Sequence, residues 1–542
     1  MMLLSQALTK LLRLWDQGHL SGFPGDLLQD KIPVVLYEML VQTRRSQDAD
    51  GSWGGQSNEV TAYSILTLNY LAPLPWATAL LPEVHEAIAS GKRFLNEAAD
   101  SWDKPDIIWI EKVSYGSTTL CQTYCLAAMN ANIASEPWGD AVKQLTSVSL
   151  KAVEKFVYFF STLPLFSQMP KWQLRAALVE GYLFLTRLKR QSEFIFPKLE
   201  ETDEKYLEYI PFTWTASNYL QKTPLSANLL WEMMVVSMLN YQADEYMEAV
   251  VGKNFESNLF PVKEIIHELC APAKTQTNGT KEAHTNGTST EIPTENGIEN
   301  KEIPVNGTSV LSDVKSVLSR FTTYILTHPS LSTSTPHDIS RLHTELRTFL
   351  LAHVTHISDN SRFTAQSNHT STSTAPFLTP RTSYFDWVRT TSAEHTSCPY
   401  SFAFFSCLAS KDGKDCFPGA TAKYYAQDLC AHLAVMCRQY NDFGSIVRDR
   451  NEKNINSINF PEFHNGEKEG EEKEKKLKAE LFEIAEYERE VLSLARKKLE
   501  VRAPKRVLGM FGLFVDVTDL YGQIYVARDI GVATGSVKKA AS

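Results

Sequence analysis

No run of about twenty consecutive apolar residues occurs in this sequence, so no helix spanning a bilayer is expected. Positive charge is not in excess either. The chain carries 54 Lys and Arg against 63 Asp and Glu, a net charge of −9. That balance excludes a protein built around nucleic-acid phosphates. Cysteine is sparse, with eight residues among 542, and they are scattered through apolar segments. Cys121 and Cys125 lie four apart without a matching Cys or His pair, so buried free thiols are expected rather than zinc ligands. Such thiols fit a reducing cytosol, and the expected location is cytoplasmic. The Asn-x-Thr triplets at Asn278, Asn286, Asn306 and Asn368 then reflect composition, not glycans. The opening stretch MMLLSQALTKLLRLWDQG is amphipathic and has no small-residue cleavage site, so it does not read as a signal peptide.

Helical periodicity dominates what is present. The segment AQDLCAHLAVMCRQY runs without a break into NDFGSIVRDRNE. On that helix Asn441, Ser445 and Asp449 fall at i, i+4 and i+8. Each step of four overshoots a full turn by only about 40°, so the three share one face. An amide oxygen, a hydroxyl and a carboxylate are hard donors of the kind Mg²⁺ takes. A second helical pattern, NLLWEMMVVSMLNYQADEYMEAVVG, ends in Asp244-Glu245-Tyr246-Met247-Glu248. Asp244 and Glu248 share a face, repel each other, and interrupt an otherwise apolar helix. A cation between them accounts for both facts.

Together the acidic turn and the Asn/Ser/Asp helix resemble the two metal-binding motifs of class I terpene synthases. The first reads DExxE where the family has DDxxD, and the second ends in Asp where the family has Glu. Both departures keep a carboxylate. The resemblance implies that Asp244, Glu248, Asn441, Ser445 and Asp449 hold Mg²⁺ ions, three in that family, against a substrate diphosphate. Glu452 returns to the face of Asn441 and is a further ligand candidate. The segment Ile210–Ala216 is similar to the family's stretch ahead of the acidic helix. From it Phe212 and Trp214, with Tyr241, are candidates for lining a carbocation cavity, because an aromatic face stabilises a cation. The segment from Pro380 to Thr396 also resembles the fungal class I domain. It offers Arg389 as the catalytic diphosphate sensor, with Arg448 and Lys453 as further diphosphate contacts, since Arg grips phosphate oxygens in pairs.

The N-terminal third resembles something else. Asp48-Ala49-Asp50-Gly51-Ser52-Trp53-Gly54-Gly55 looks like the DGSWG-type turn of the α/α-barrel domains of triterpene and diterpene cyclases. The stretch from Pro105 to Gly116 is similar to the close of that domain in fungal bifunctional copalyl diphosphate/ent-kaurene synthases. Class II cyclases protonate an alkene with a neutral carboxyl group in a DxDD motif, and no DxDD occurs in this sequence.

The resulting expectation is an all-α chain. Residues 1–148 form a partial class II-type helical region, and residues 149–542 form a class I terpene synthase bundle. Three polar, low-complexity stretches, about 272–308, 358–376 and 464–475, are expected as disordered insertions. The implied activity is Mg²⁺-assisted loss of diphosphate from (ent-)copalyl diphosphate and cyclisation to ent-kaurene or a related diterpene. The implied partners are a prenyl diphosphate and a separate class II cyclase supplying it. Two alternatives stand beside this: a fragment of a bifunctional enzyme, and a catalytically decayed helical protein.

Overall fold

Almost every segment with helical periodicity folds as an α-helix, and the chain is all-α. The computed structural model describes residues 1–527 apart from residue 21 and residues 111–112, 134–135, 146–148, 200–205, 272–304, 367–374, 411–412 and 465–470. The described β structure is a ladder pairing Ile108–Ile110 with Val113–Tyr115 and one isolated bridge, Trp53 to Ser57. The chain folds as two compact units. The first takes residues 1–194, 200–238 and 505–542; the second takes 195–199 and 239–504. The boundary expected near residue 148 falls inside the first unit.

In the first unit, the glycine-rich Trp turn joins helix Ile32–Arg45 to helix Asn58–Leu71. Asp48 N–H donates to the Ser52 carbonyl at 2.8 Å, which closes the turn. Gly51 has φ +91°, and a Cβ there would lie 2.8 Å from the Ser90 carbonyl oxygen. Only glycine meets both demands. The turn delivers Trp53 into the core, 2 % exposed, with its indole N–H donating to the Thr43 carbonyl at 2.7 Å. Farther along, helix Lys171–Gln191 packs on helix Tyr206–Leu220. Gly181 permits the approach, because a Cβ there would sit 2.6 Å from the Phe212 ring. Beside it Glu180 is buried and accepts the Tyr219 O–H at 2.7 Å. Helix Lys505–Ala527 is the one described helix long and apolar enough to cross a membrane, and 67 % of its most apolar window is buried, as in a core helix.

The second unit is built around helix Ala420–Glu452, 33 residues long. Lys453 ends it in the left-handed conformation, φ +61°. Helix Glu471–Leu499 lies along it, with Phe482 against Tyr440 and Phe443. Helix Pro336–Gln366 crosses the short segment Ala393–His395. This long helix corrects part of one expectation. Residues 358–366, read from composition as the start of a disordered insertion, are helical. Ile357 and Phe363 continue its apolar face and are buried, and Asp359 is buried against Arg381 at 3.1 Å. Polar composition concealed that face. The rest of that stretch to residue 374, and residues 272–304 and 465–470, lie outside the described residues. Helix Val305–Leu326 takes up the end of the first expected insertion, and helix Glu471–Leu499 the end of the third.

Candidate metal and diphosphate site

The second unit contains both candidate motifs. Asp244 stands near the end of helix Ala227–Tyr246, and the backbone then widens into a π-helical turn, Met247–Gly252, that carries Glu248. Such widened turns often accompany functional sites. A second one, Val388–Ser392, immediately precedes His395. Both pack against helix Pro336–Gln366, which supplies His353 and His356. The three imidazoles form one cluster, with ring centroids 4.1 Å apart for His353 and His395 and 4.4 Å for His356 and His395. All three are buried, whereas Asp244 keeps 43 % of its side-chain surface accessible and Glu248 is exposed. The carboxylates thus stand open above a buried imidazole floor.

On the facing motif, Ser445 and Asp449 are buried and Asn441 is half-buried. Asp449 Oδ2 accepts from Ser445 Oγ at 2.6 Å and from Asn456 Nδ2 at 2.7 Å. Asp442, adjacent in sequence to Asn441, does different work. Its Oδ2 accepts from Ser457 N–H and Oγ at 2.8 and 2.6 Å, and its Oδ1 lies 2.7 Å from Arg438 Nε. It clamps the chain that follows the helix, and it partners a buried arginine.

The electrostatics tie the two motifs together. Burial pushes the Asp244 carboxyl up to about 7, with Glu245 adding to it and Arg438 and Arg448 opposing. Glu248 is raised to about 8, by burial and then by Asp244, Glu452 and Asp449. Its side chain is exposed, so the neighbouring negative charges carry more of that shift than desolvation does. Asp449 is raised to about 7 by burial and by Asp442. Clustered acids whose like charges add to burial in raising their proton affinity are groups that a divalent cation relieves. Asp244 Oδ1 also has no hydrogen bond. Asp244, Glu248, Asn441, Ser445 and Asp449 offer hard oxygen donors of the kind that suits a divalent ion such as Mg²⁺, with Glu452 within the same field.

The remaining candidates are distributed as follows. Arg448 lies 3.8 Å from Asp449 and 3.9 Å from Glu452, beside the motif. Lys453 is exposed at the helix end. Arg389 is held by the buried Glu488 at 2.5 Å and lies over the Phe385 ring, and no contact with a motif carboxylate is among these. Tyr241 is half-buried on the turn before Asp244. Phe212 and Trp214 lie in the first unit. Phe212 packs edge-on to Phe156 and Tyr182, and Trp214 donates to Ser237 Oγ at 3.0 Å. Four residues of the site escaped the sequence reading: Arg438, His353, His356 and His395. The i, i+3 pair His353 and His356 in FLLAHVTHI was the available signal. It reads as part of an ordinary amphipathic helix until His395 meets it from elsewhere in the chain.

The second unit thus places an acidic helix end and an Asn/Ser/Asp helix within one electrostatic field. No protein-family model matches the chain. Individual proteins do. The chain is 40 % identical, over 98 % of its length, to a pimaradiene synthase of Emericella nidulans, covering 54 % of that protein. It is 35 % identical over 98 % of its length to an ent-kaur-16-ene synthase of Fusarium fujikuroi, covering 55 % of it. A phyllocladan-16-alpha-ol synthase of Phomopsis amygdali is 32 % identical over 99 % of this chain and 56 % of its own length. The chain is thus related, along nearly its whole length, to the fungal diterpene synthases, and it spans about half the length of these relatives.

Proposed function

We propose that this chain carries a class I diterpene synthase site that releases diphosphate from copalyl diphosphate and guides the resulting carbocation to an ent-kaurene-type or pimarane-type diterpene. One observation carries the reading: the carboxylates of the two motif helices lie in the same unit, where Asp449 and Glu452 of the second sit in the field of Glu248 of the first. In this reading Asp244, Glu248, Asn441, Ser445 and Asp449 hold Mg²⁺, and Mg²⁺ bound there supplies charge neutralisation for the leaving diphosphate. Arg448 adds positive charge beside Asp449, and the buried Arg438 adds more from within the same helix. Tyr241, one turn before Asp244, offers an aromatic face to a developing cation. Closure of the site against water then protects that cation until a proton is lost.

The test is incubation of the purified chain with Mg²⁺ and copalyl diphosphate, with products read by gas chromatography and mass detection. Release of a cyclic diterpene is expected, and its absence from a folded protein sinks the reading. A second reading concerns the protein's context. The chain spans about half of its relatives, one of which is named a bifunctional ent-kaurene synthase. With no DxDD acid in its sequence, this chain draws copalyl diphosphate from a class II activity located elsewhere. From geranylgeranyl diphosphate alone it is expected to give acyclic or macrocyclic products at most. A kaurene-type product from that substrate contradicts the division of labour.

A further inference from the structure

We infer that Asp244, His353 and His395 form a mixed nitrogen–oxygen site for a borderline divalent transition ion such as Mn²⁺, Fe²⁺, Co²⁺ or Zn²⁺. This goes beyond the all-oxygen Mg²⁺ set on which the proposed function rests. His353 Nδ1 and His395 Nε2 each lie 3.5 Å from the same oxygen, Asp244 Oδ1. That separation is too long for a hydrogen bond. It matches the spacing of neighbouring ligands around a tetrahedral ion with bonds of about 2.1 Å, whose edge is about 3.4 Å.

The ligand atoms are also unspent. Neither nitrogen of His353 has a hydrogen bond, nor does His395 Nε2 or Asp244 Oδ1. His353 is 1 % exposed and His395 9 %, so no bulk water replaces the missing partners. Polar groups buried this deeply are as a rule hydrogen-bonded, and several exceptions converging on one point call for a ligand. Glu248 and His356 extend the cluster. Their ligand atoms and one of His395 lie within 4.8 Å of one another, so a second carboxylate borders the same floor. Imidazole ligands favour borderline ions, whereas Mg²⁺ favours an all-oxygen octahedron. One face of Asp244 therefore serves a softer ion while the Asn/Ser/Asp helix serves Mg²⁺.

The decisive experiment uses the full chain, stripped of metal by a chelator and free of diphosphate. Mn²⁺ is added and its electron-spin-echo modulation recorded, and Co²⁺ is titrated in parallel by visible absorption. Nitrogen modulation from imidazole and one Co²⁺ equivalent resistant to excess Mg²⁺ are expected. His395→Ala should weaken Co²⁺ binding on the order of 100-fold and remove one nitrogen signal, with Mg²⁺ binding altered little. His353→Phe, which keeps a ring against Phe349, repeats the test if the alanine variant unfolds. Mn²⁺ modulation without nitrogen in the unmutated protein overturns the inference whatever the variants do. Turnover of copalyl diphosphate with Mg²⁺ and a nitrogen-free Mn²⁺ spectrum defeats this inference and leaves the proposed function standing. Nitrogen-ligated metal without turnover does the reverse.

Discussion

Glu180 in the first unit and Glu248 in the second both hold their protons up to about 8, for different physical reasons. Glu180 is 3 % exposed and has a single close partner, the Tyr219 hydroxyl, at 2.7 Å. Burial is the main cause, with the Glu38 charge adding to it: a carboxyl in a packed core stays neutral and accepts one hydrogen bond. Glu248 is exposed, and Asp244, Glu452 and Asp449 surround it with like charge. A raised proton affinity therefore does not by itself mark a functional site. What separates the two acids is whether the group is satisfied. Glu180 is complete as it stands, while the Glu248 cluster gathers like charge, and on the proposed function a cation offsets it.

The first way to break this comparison is to remove ligands from the unsatisfied cluster. Asp244→Ala, or Asn441→Ala with Ser445→Ala, should lower turnover of copalyl diphosphate by at least about 100-fold, because leaving-group charge goes uncompensated. Far-ultraviolet circular dichroism should not change. Retained turnover in a folded variant means that the two motifs do not act together.

A second comparison lies within one helix. Asp442 and Asp449 are both buried acids of helix Ala420–Glu452, but Asp442 accepts from Ser457 and forms an ion pair with Arg438, whereas Asp449 accepts from Ser445 and Asn456. Asp442→Ala leaves the Arg438 charge buried without its closest partner. The expected loss is about 3–5 kcal/mol of stability, measured by urea unfolding, with a residual activity that follows the folded fraction. Asp449→Ala should do the opposite, losing turnover more than stability. If the two variants behave alike, the division between clamp and ligand fails.

Proton linkage gives a finer test. In the metal-free protein Asp244 and Asp449 hold protons up to about 7, and Glu248 up to about 8. A cation must displace those protons. Apparent Mg²⁺ affinity, measured with inorganic diphosphate present, should rise from pH 6 to 8 and level off above that. Proton release should be visible by calorimetry in buffers of different ionisation enthalpy. Binding that is flat across this range means that the cluster is already ionised.

Periodicity carried most of the fold. The apolar faces that define helices Lys171–Gln191, Ala227–Tyr246 and Ala420–Glu452 are local patterns, and local patterns are what a sequence displays. The helix that continues through Ile357 and Phe363 was harder to see, because two buried apolar residues sit among Ser, Asp and Asn. The Asn/Ser/Asp face was visible because its members share one helix. His395 was not, since it meets His353 and His356 from a separate short helix, Ala393–His395, that follows the π-helical turn Val388–Ser392. Arg438 was hidden for a related reason: an arginine among apolar residues of a helix reads as surface until its burial against Asp442 is known. The division into units was also out of reach, since Lys505–Ala527 joins the first unit from the far end of the chain.

The smallest effect on turnover belongs to Glu180→Gln, and it sharpens the opening comparison from the satisfied side. Gln is neutral and nearly isosteric with the protonated acid, and its amide oxygen accepts the Tyr219 O–H. Turnover should stay within about twofold, since a hydrogen bond of this kind is worth only about 1 kcal/mol. Stability should show the role that turnover does not. The folded protein keeps the Glu180 proton to about pH 8, whereas an unfolded chain releases it near 4.3. Between those values the folded state binds the extra proton, so unmutated protein loses stability as pH rises through that window and levels off above it. The Gln variant has no proton to lose there. Its stability relative to the unmutated protein should be near zero at pH 4.5 and climb in the variant's favour toward pH 8, as read by urea unfolding across that range. A flat difference means that Glu180 is ionised in the folded core.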